Sequence, residues 1–285
     1  MNAKAQHYVP QFYLRNFSTN QNGNYKIWCF DKSTLRSFQT NPKNVAQENR
    51  FYDFENEEGE SVSLENQLSI MEKEFKDAIY EICSDPSQNT LETNKLALAN
   101  FIAIQISRTP MFGKELEDME IGTNKRLERD GIQLPRSTLN EVKQMQAWKI
   151  QYLAPQISNI LLGKKWIVSK NFLGKPFLTS DNPTFNYNQN ESPFMSNLGL
   201  LSKGVEVYTT LSPQLAILQC DLEDNQHLPT VVETTLPVVE FVNSGQVINS
   251  QRYLFSKEND FKQALQMIKE HPHLGDPNHP RVLVE

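Results

Sequence analysis

Six kinds of side chain in this sequence have the type and setting to do chemistry. His7 opens the stretch HYVPQFYLRNF, residues 7 to 17, in which Gln11 and Arg15 stand four residues apart. An imidazole moves protons near neutral pH; a single histidine near a terminus can equally serve to pin the chain. Gln105 and Arg108 are three residues apart at the end of an apolar run, just before Thr109-Pro110. A guanidinium anchored there can hold a carboxylate or phosphate through two parallel N–H bonds, although the helix dipole alone also favours a basic residue at that end. Asp181 and Asn182 belong to SDNP, after a strand-like segment. A carboxylate there can ligate a cation or act as a base, and either residue can instead close an Asx turn. Glu65 and Glu72 are seven residues apart and so lie about 20° from each other around a helix. On the flank of an apolar stripe they can bind a cation, share acid–base work or simply be solvated. Arg15 can also form a buried bridge with Glu65.

The elements that must position these residues follow from periodicity. Pro10 suits a first helical turn, so residues 7 to 17 read as a short helix with Phe12, Tyr13 and Phe17 at helical spacing. Strands are expected at 25–30, 35–39 and 50–54, with a short helical turn at 44–47 and a surface loop at 55–60. A helix is expected over 63–84, where Leu64, Leu68, Met71, Phe75, Ile79 and Ile82 recur at spacings of three and four. Further helices are expected over 93–107, over 112–129 and from the cap Ser137-Thr138 to Gly163, the last bent at Pro155. Residues 165–169 and 176–179 read as a strand pair and 205–210 and 214–220 as two more strands. Residues 186–204 read as a long loop, and helices are expected at 237–254 and 260–270.

The expected architecture is α+β: one mixed β-sheet built by N-terminal and C-terminal strands, a helical bundle in the middle, and C-terminal helices. There is no internal repeat and no composition break, so residues 1–285 read as one domain. Its parts are an N-terminal hairpin region (1–60), a helical region (61–163), a strand region (164–222) and C-terminal helices (233–270).

With 285 residues, 38% hydrophobic and 22% charged, the chain is ample for a sizeable core. A net charge of -6 argues against a broad nucleic-acid-coating surface. Cys29, Cys83 and Cys220 form no metal spacing and are an odd number, which points to reduced thiols. No apolar run approaches a membrane span, and the start lacks a signal core, so a cytoplasmic protein is expected. Phosphate-loop, dinucleotide, nucleophile-elbow and zinc-protease motifs are lacking. His271, His273 and His279 lie in a Pro-rich tail that reads as solvated rather than metal-binding.

The motifs HYVPQFYLRNF, NVAQENRFYDF, LEN, QISRTP, LTSDNP, TTLSP and FVNSGQVINSQRYLFS resemble, in this order, the domain of unknown function 4238 family. The resemblance spans most of the chain and carries no residue role or activity with it. Two function classes therefore rest on the residues alone. One is metal-assisted hydrolysis of a phosphodiester in a nucleotide or nucleic acid. Glu65, Asp181 and Glu72 would hold a divalent cation such as Mg, His7 would be the base, and Arg15 and Arg108 would bind phosphate. The other is a non-catalytic sensor or interaction module in which the same cluster recognises a small anion or a peptide end.

Overall fold

The computed structural model describes residues 5–188 and 199–280. In chain order its strands are β1 (Ala5–His7), β2 (Thr19–Gln21), β3 (Asn24–Asp31), β4 (Arg36–Thr40), β5 (Gln47–Asn49), β6 (Asp53–Glu55) and β7 (Ser61–Ser63). These are followed by β8 (Lys165–Lys170), β9 (Thr179–Ser180), β10 (Thr184–Asn188), β11 (Val205–Ser212), β12 (Leu215–Cys220), β13 (Val231–Glu233) and β14 (Tyr253–Ser256). The helices are α1 (Gln11–Arg15), α2 (Glu65–Ser84), α3 (Gln88–Arg108), α4 (Met111–Leu127), α5 (Leu139–Trp148), α6 (Ala154–Leu162), α7 (Leu222–Asn225), α8 (Leu236–Asn249) and α9 (Lys262–Glu270).

Two five-stranded sheets organise these elements. The first joins the two ends of the chain. β3 pairs antiparallel with β2, β4 and β14, and β14 in turn pairs with β9. The second is made only from the later part of the chain, in the order β10-β11-β12-β8-β13, and is mixed because β13 runs parallel to β8. The fold is thus α+β, with N-terminal and C-terminal strands sharing a sheet as expected, but there are two large sheets where one was expected. Residues 165–169 and 176–179 are not a pair. β8 pairs with β12 and β13, while β9 belongs to the other sheet.

The helices form where the apolar spacing demands them. α3 is capped by Ser87, whose Oγ accepts from the Thr90 N–H at 3.2 Å. Its middle is buried on nearly every side, from Ala97 to Ile104 except Asn100. The Phe101 ring meets Tyr13 at 5.5 Å and Phe75 at 5.9 Å, which ties α1, α2 and α3 into one core. Burying each such ring contributes about 1.5–3 kcal/mol. Thr138 and Glu141 form a reciprocal capping box at the start of α5. The bend expected at Pro155 takes the form of a wide π-turn, Lys149–Leu153, between α5 and α6, with Pro155 in the first turn of α6.

Several boundaries differ from the sequence pattern. The helical turn near 44–47 is a 3-10 turn, Pro42–Asn44, and the strand expected at 50–54 starts at Asp53. Strand β10 occupies the first part of the expected 186–204 loop, and 189–198 of that loop lie outside the described residues. The expected helix at 237–254 stops at Asn249, and its last residues are strand β14. Tertiary contacts cause that change. The buried Lys32 Nζ donates at 2.7 Å to the carbonyls of Val247 and Ser250 and so caps the end of α8. The tail after α9 is held as well, because Leu274 is buried against Phe30 and Ile268 in a second core.

Candidate functional site

His7 ends β1, a strand held at its back by β5. Two residues near or in that support, Ala46 (φ 52) and Arg50 (φ 53), are non-glycine residues in the left-handed region. Such conformations are held only when the surroundings impose them. Here the Ala46 carbonyl accepts from the Tyr8 N–H at 3.0 Å, and Tyr52 donates its hydroxyl to the His7 carbonyl at 3.1 Å. Gln6, fully buried, donates to Asp53 at 2.7 Å and accepts from the Tyr52 N–H at 2.6 Å. Pattern reading missed Gln6, Tyr52 and Asp53. The only signal was the place of Tyr52 and Asp53 in the NRFYDF motif and of Gln6 just before HYVPQ.

Tyr8 is the link to the helices. Its carbonyl accepts from Gln105 Nε2 at 2.8 Å and from Arg108 Nε at 3.1 Å. Arg108 also donates to Gln105 Oε1 at 3.1 Å and, through Nη1, to Glu72 at 2.9 Å. Gln105 and Arg108 thus meet at the Tyr8 carbonyl, with Glu72 on Arg108 and Gln11 beside His7, which is part of the cluster expected to gather His7, Arg15, Glu65, Arg108 and Asp181. Its arginine is 1% exposed, yet Nη2 has no hydrogen-bond partner. Neither has His7 Nε2, which is also buried. Gln11 Nε2 lies 3.5 Å from His7 Nδ1. When that amide donates to Nδ1, the neutral ring carries its proton on Nε2. Arg108 Nη2 is then left without a partner on one side of Tyr8, while on the other the His7 ring faces the backbone carbonyls of Pro42 and Lys43.

The electrostatics agree with that protonation. Burial lowers the His7 pKa below the ordinary histidine value and outweighs the pull of the Lys43 backbone and of Glu72. Burial and then the Glu72 charge push the Glu65 carboxyl upward, with Arg108 opposing. Glu65 and Glu72 thus sense one another and Arg108, as their place on one helix face implied.

Arg15 and Asp181 do not join this cluster. Arg15 is exposed, with its guanidinium 5.0 Å from the centre of the Tyr25 ring, and it forms no ion pair with Glu65 among the described residues. α1 turns its apolar side inward instead: Tyr13, Leu14 and Phe17 are wholly buried, and the Tyr13 hydroxyl donates to the Thr210 carbonyl at 2.6 Å. With Tyr13 pointing in, Arg15 two positions on is carried outward.

Asp181 is buried with both carboxylate oxygens engaged. Oδ1 accepts from the Gln251 N–H at 2.8 Å, and Oδ2 accepts from Arg252 and Tyr253, both at 2.7 Å. Burial raises its pKa, and the three amides pull it down. This carboxylate clamps the turn between α8 and β14, and a metal-holding pair of Glu65 with Asp181 is not formed. Among the described residues no group of three or more His, Cys, Asp or Glu side chains is placed to hold a metal ion. Asn182 lies elsewhere again. It accepts from Thr109 Oγ1 at 3.3 Å and donates to the Asn249 carbonyl at 3.1 Å, on the wall of a separate cleft of about 500 Å³.

The family model that matches this chain covers residues 5–260 and is described as a protein of unknown function (DUF4238). The chain belongs to the DUF4238 family. The matched span takes in β1, the Tyr8 link, α3 and the Asp181 clamp. No curated protein and no solved structure gives a significant match. Among the described residues no helix is long and apolar enough to cross a membrane.

Proposed function

We propose that this DUF4238 chain is a binding module that recognises an acceptor group, a carboxylate or phosphate of a small anion or of a peptide end, at the His7–Arg108 centre. The observation that carries this reading is the buried Arg108 Nη2 donor, which has no hydrogen-bond partner, on the other side of Tyr8 from the buried His7 ring. An unsatisfied buried donor costs about 1–3 kcal/mol, and an acceptor oxygen from a ligand removes that cost. The half-exposed groups around the centre, Gln11, Glu65 and Glu72, give it a path to the surface. Binding without catalysis fits better than metal-assisted phosphodiester cleavage. The engagement of Asp181 with three backbone amides takes away one of the three carboxylates that such cleavage was built on.

Glu72 sets the sign of the test. Its carboxylate already neutralises Arg108 and opposes a second anion, so Glu72→Gln should tighten anion binding by roughly tenfold or more. Arg108→Lys, which loses the planar fork, should weaken it by a similar factor. The measurement is the shift of the His7 ring signals in NMR titrations. The probes are inorganic phosphate, acetate and a tetrapeptide with either a free or an amidated C-terminus. If none of these moves the His7 signals of the wild-type protein, the reading is wrong.

A further inference from the structure

The cleft of about 500 Å³ on the far side of Thr109 holds a second set of charges that the His7–Arg108 centre does not use. Lys149 and Glu115 both line it. Lys149 is the first residue of the π-turn, and such wide turns recur at functional positions because the extra residue re-aims a side chain. Its ammonium sits 4.4 Å from the centre of the Phe112 ring, which also lines the cleft. Glu115 comes from α4, one turn after Phe112. Both side chains are only half exposed, and among the described residues neither makes a hydrogen bond or an ion pair. Burial lowers the Lys149 pKa and raises that of Glu115, while each charge partly steadies the other. A cation and a carboxyl group thus face one cavity, both partly stripped of water, too far apart to bridge directly.

Opposite charges held apart across a cavity are complementary to a ligand that carries both signs. We propose that this cleft is a second binding site, for a small zwitterion of amino-acid or dipeptide size, with its carboxylate on Lys149 and its ammonium on Glu115. Asn182 also lines the cleft: its amide is fixed by Thr109 and Asn249 and leaves the charged groups to select the ligand. Phe112 and Phe185 supply apolar surface for the body of the ligand.

The test is a calorimetric titration of the full chain with glycylglycine and with its N-acetylated and C-amidated forms. The free dipeptide should bind, and each blocked form should bind at least tenfold more weakly. Lys149→Met should abolish the preference for a free carboxylate, and Glu115→Gln the preference for a free ammonium. The proposal is overturned by wild-type protein that does not bind glycylglycine at millimolar concentration, or by an N-acetylated dipeptide that binds as well as the free one. Should either variant fail to fold, the blocked dipeptides on the wild-type chain still decide the matter.

Discussion

Replacing the buried Asp181 by alanine strips three partly buried backbone amides of their common acceptor. Each orphaned N–H costs about 1–3 kcal/mol, so Asp181→Ala should lose roughly 3 kcal/mol or more of stability in urea unfolding. If Asp181→Ala unfolds at the wild-type urea midpoint, the clamp is not structural. His7 gives a prediction of opposite character. Its folded pKa lies below the unfolded value of about 6.5. Below that value the unfolded chain binds the proton more readily than the folded one. The contribution of neutral His7 is therefore complete above about pH 6.5 and is lost as the pH falls from there through its lowered folded pKa. Other buried carboxyls, Glu65 and Asp181 among them, have raised values and act in the reverse direction. The informative quantity is therefore a difference. Between pH 7 and pH 5 the wild-type protein should lose more stability than His7→Gln, and equal pH profiles would count against the burial argument.

At the scale of elements, α8 and β10 approach each other closely at Gly245. A methyl group built on Gly245 would stand 2.1 Å from the Phe185 ring. That ring cannot swing away, because it is stacked on Tyr208 at 5.2 Å. Gly245→Ala should therefore destabilise by about 1–3 kcal/mol or more, a fall of roughly 2–4 °C in Tm per kcal/mol for a chain of this size. A variant with unchanged Tm would mean that the two elements separate freely. Gly245 also shows what was legible beforehand. The FVNSGQVINSQRYLFS motif was evident and its helix was expected, but nothing local told that the glycine was a packing site or that the last residues were strand. α8 ends where it does because Lys32, more than 200 positions earlier, reaches its carbonyls. The repeating apolar positions of α2 and α9 are self-contained signals and were read nearly to their ends, whereas α3 starts at Gln88, five residues before its expected start. The same contrast holds at the site. Gln105 and Arg108 declared themselves by their place at the end of an apolar helix. The fate of Asp181 depended on three amides seventy residues away. Lys149 and Glu115 gave no sign, since only the packing of α4 against the π-turn brings them to one cavity.

At the scale of the molecule, the sheet that holds β3, β14 and β9 is assembled from the beginning, the middle and the end of the matched region. β14 lies between β3 and β9, so a chain cut after residue 249 loses an interior strand, not an edge. Such a truncation should fail to fold, as circular dichroism and amide dispersion would show, and a folded fragment would refute the claim. Residues 1–285 are proposed to act as one cooperative unit, and tryptophan emission and far-ultraviolet circular dichroism should then report the same unfolding midpoint. The same sheet has a consequence in time. On a ribosome that adds about 5–20 residues per second, β3 must wait on the order of ten to fifty seconds for its inner neighbour to be synthesised. Throughout that interval Phe30, which ends up buried between β14 and α9, has no permanent cover. A newborn chain thus carries this large apolar ring uncovered for most of its synthesis, long before the proposed binding centres can form.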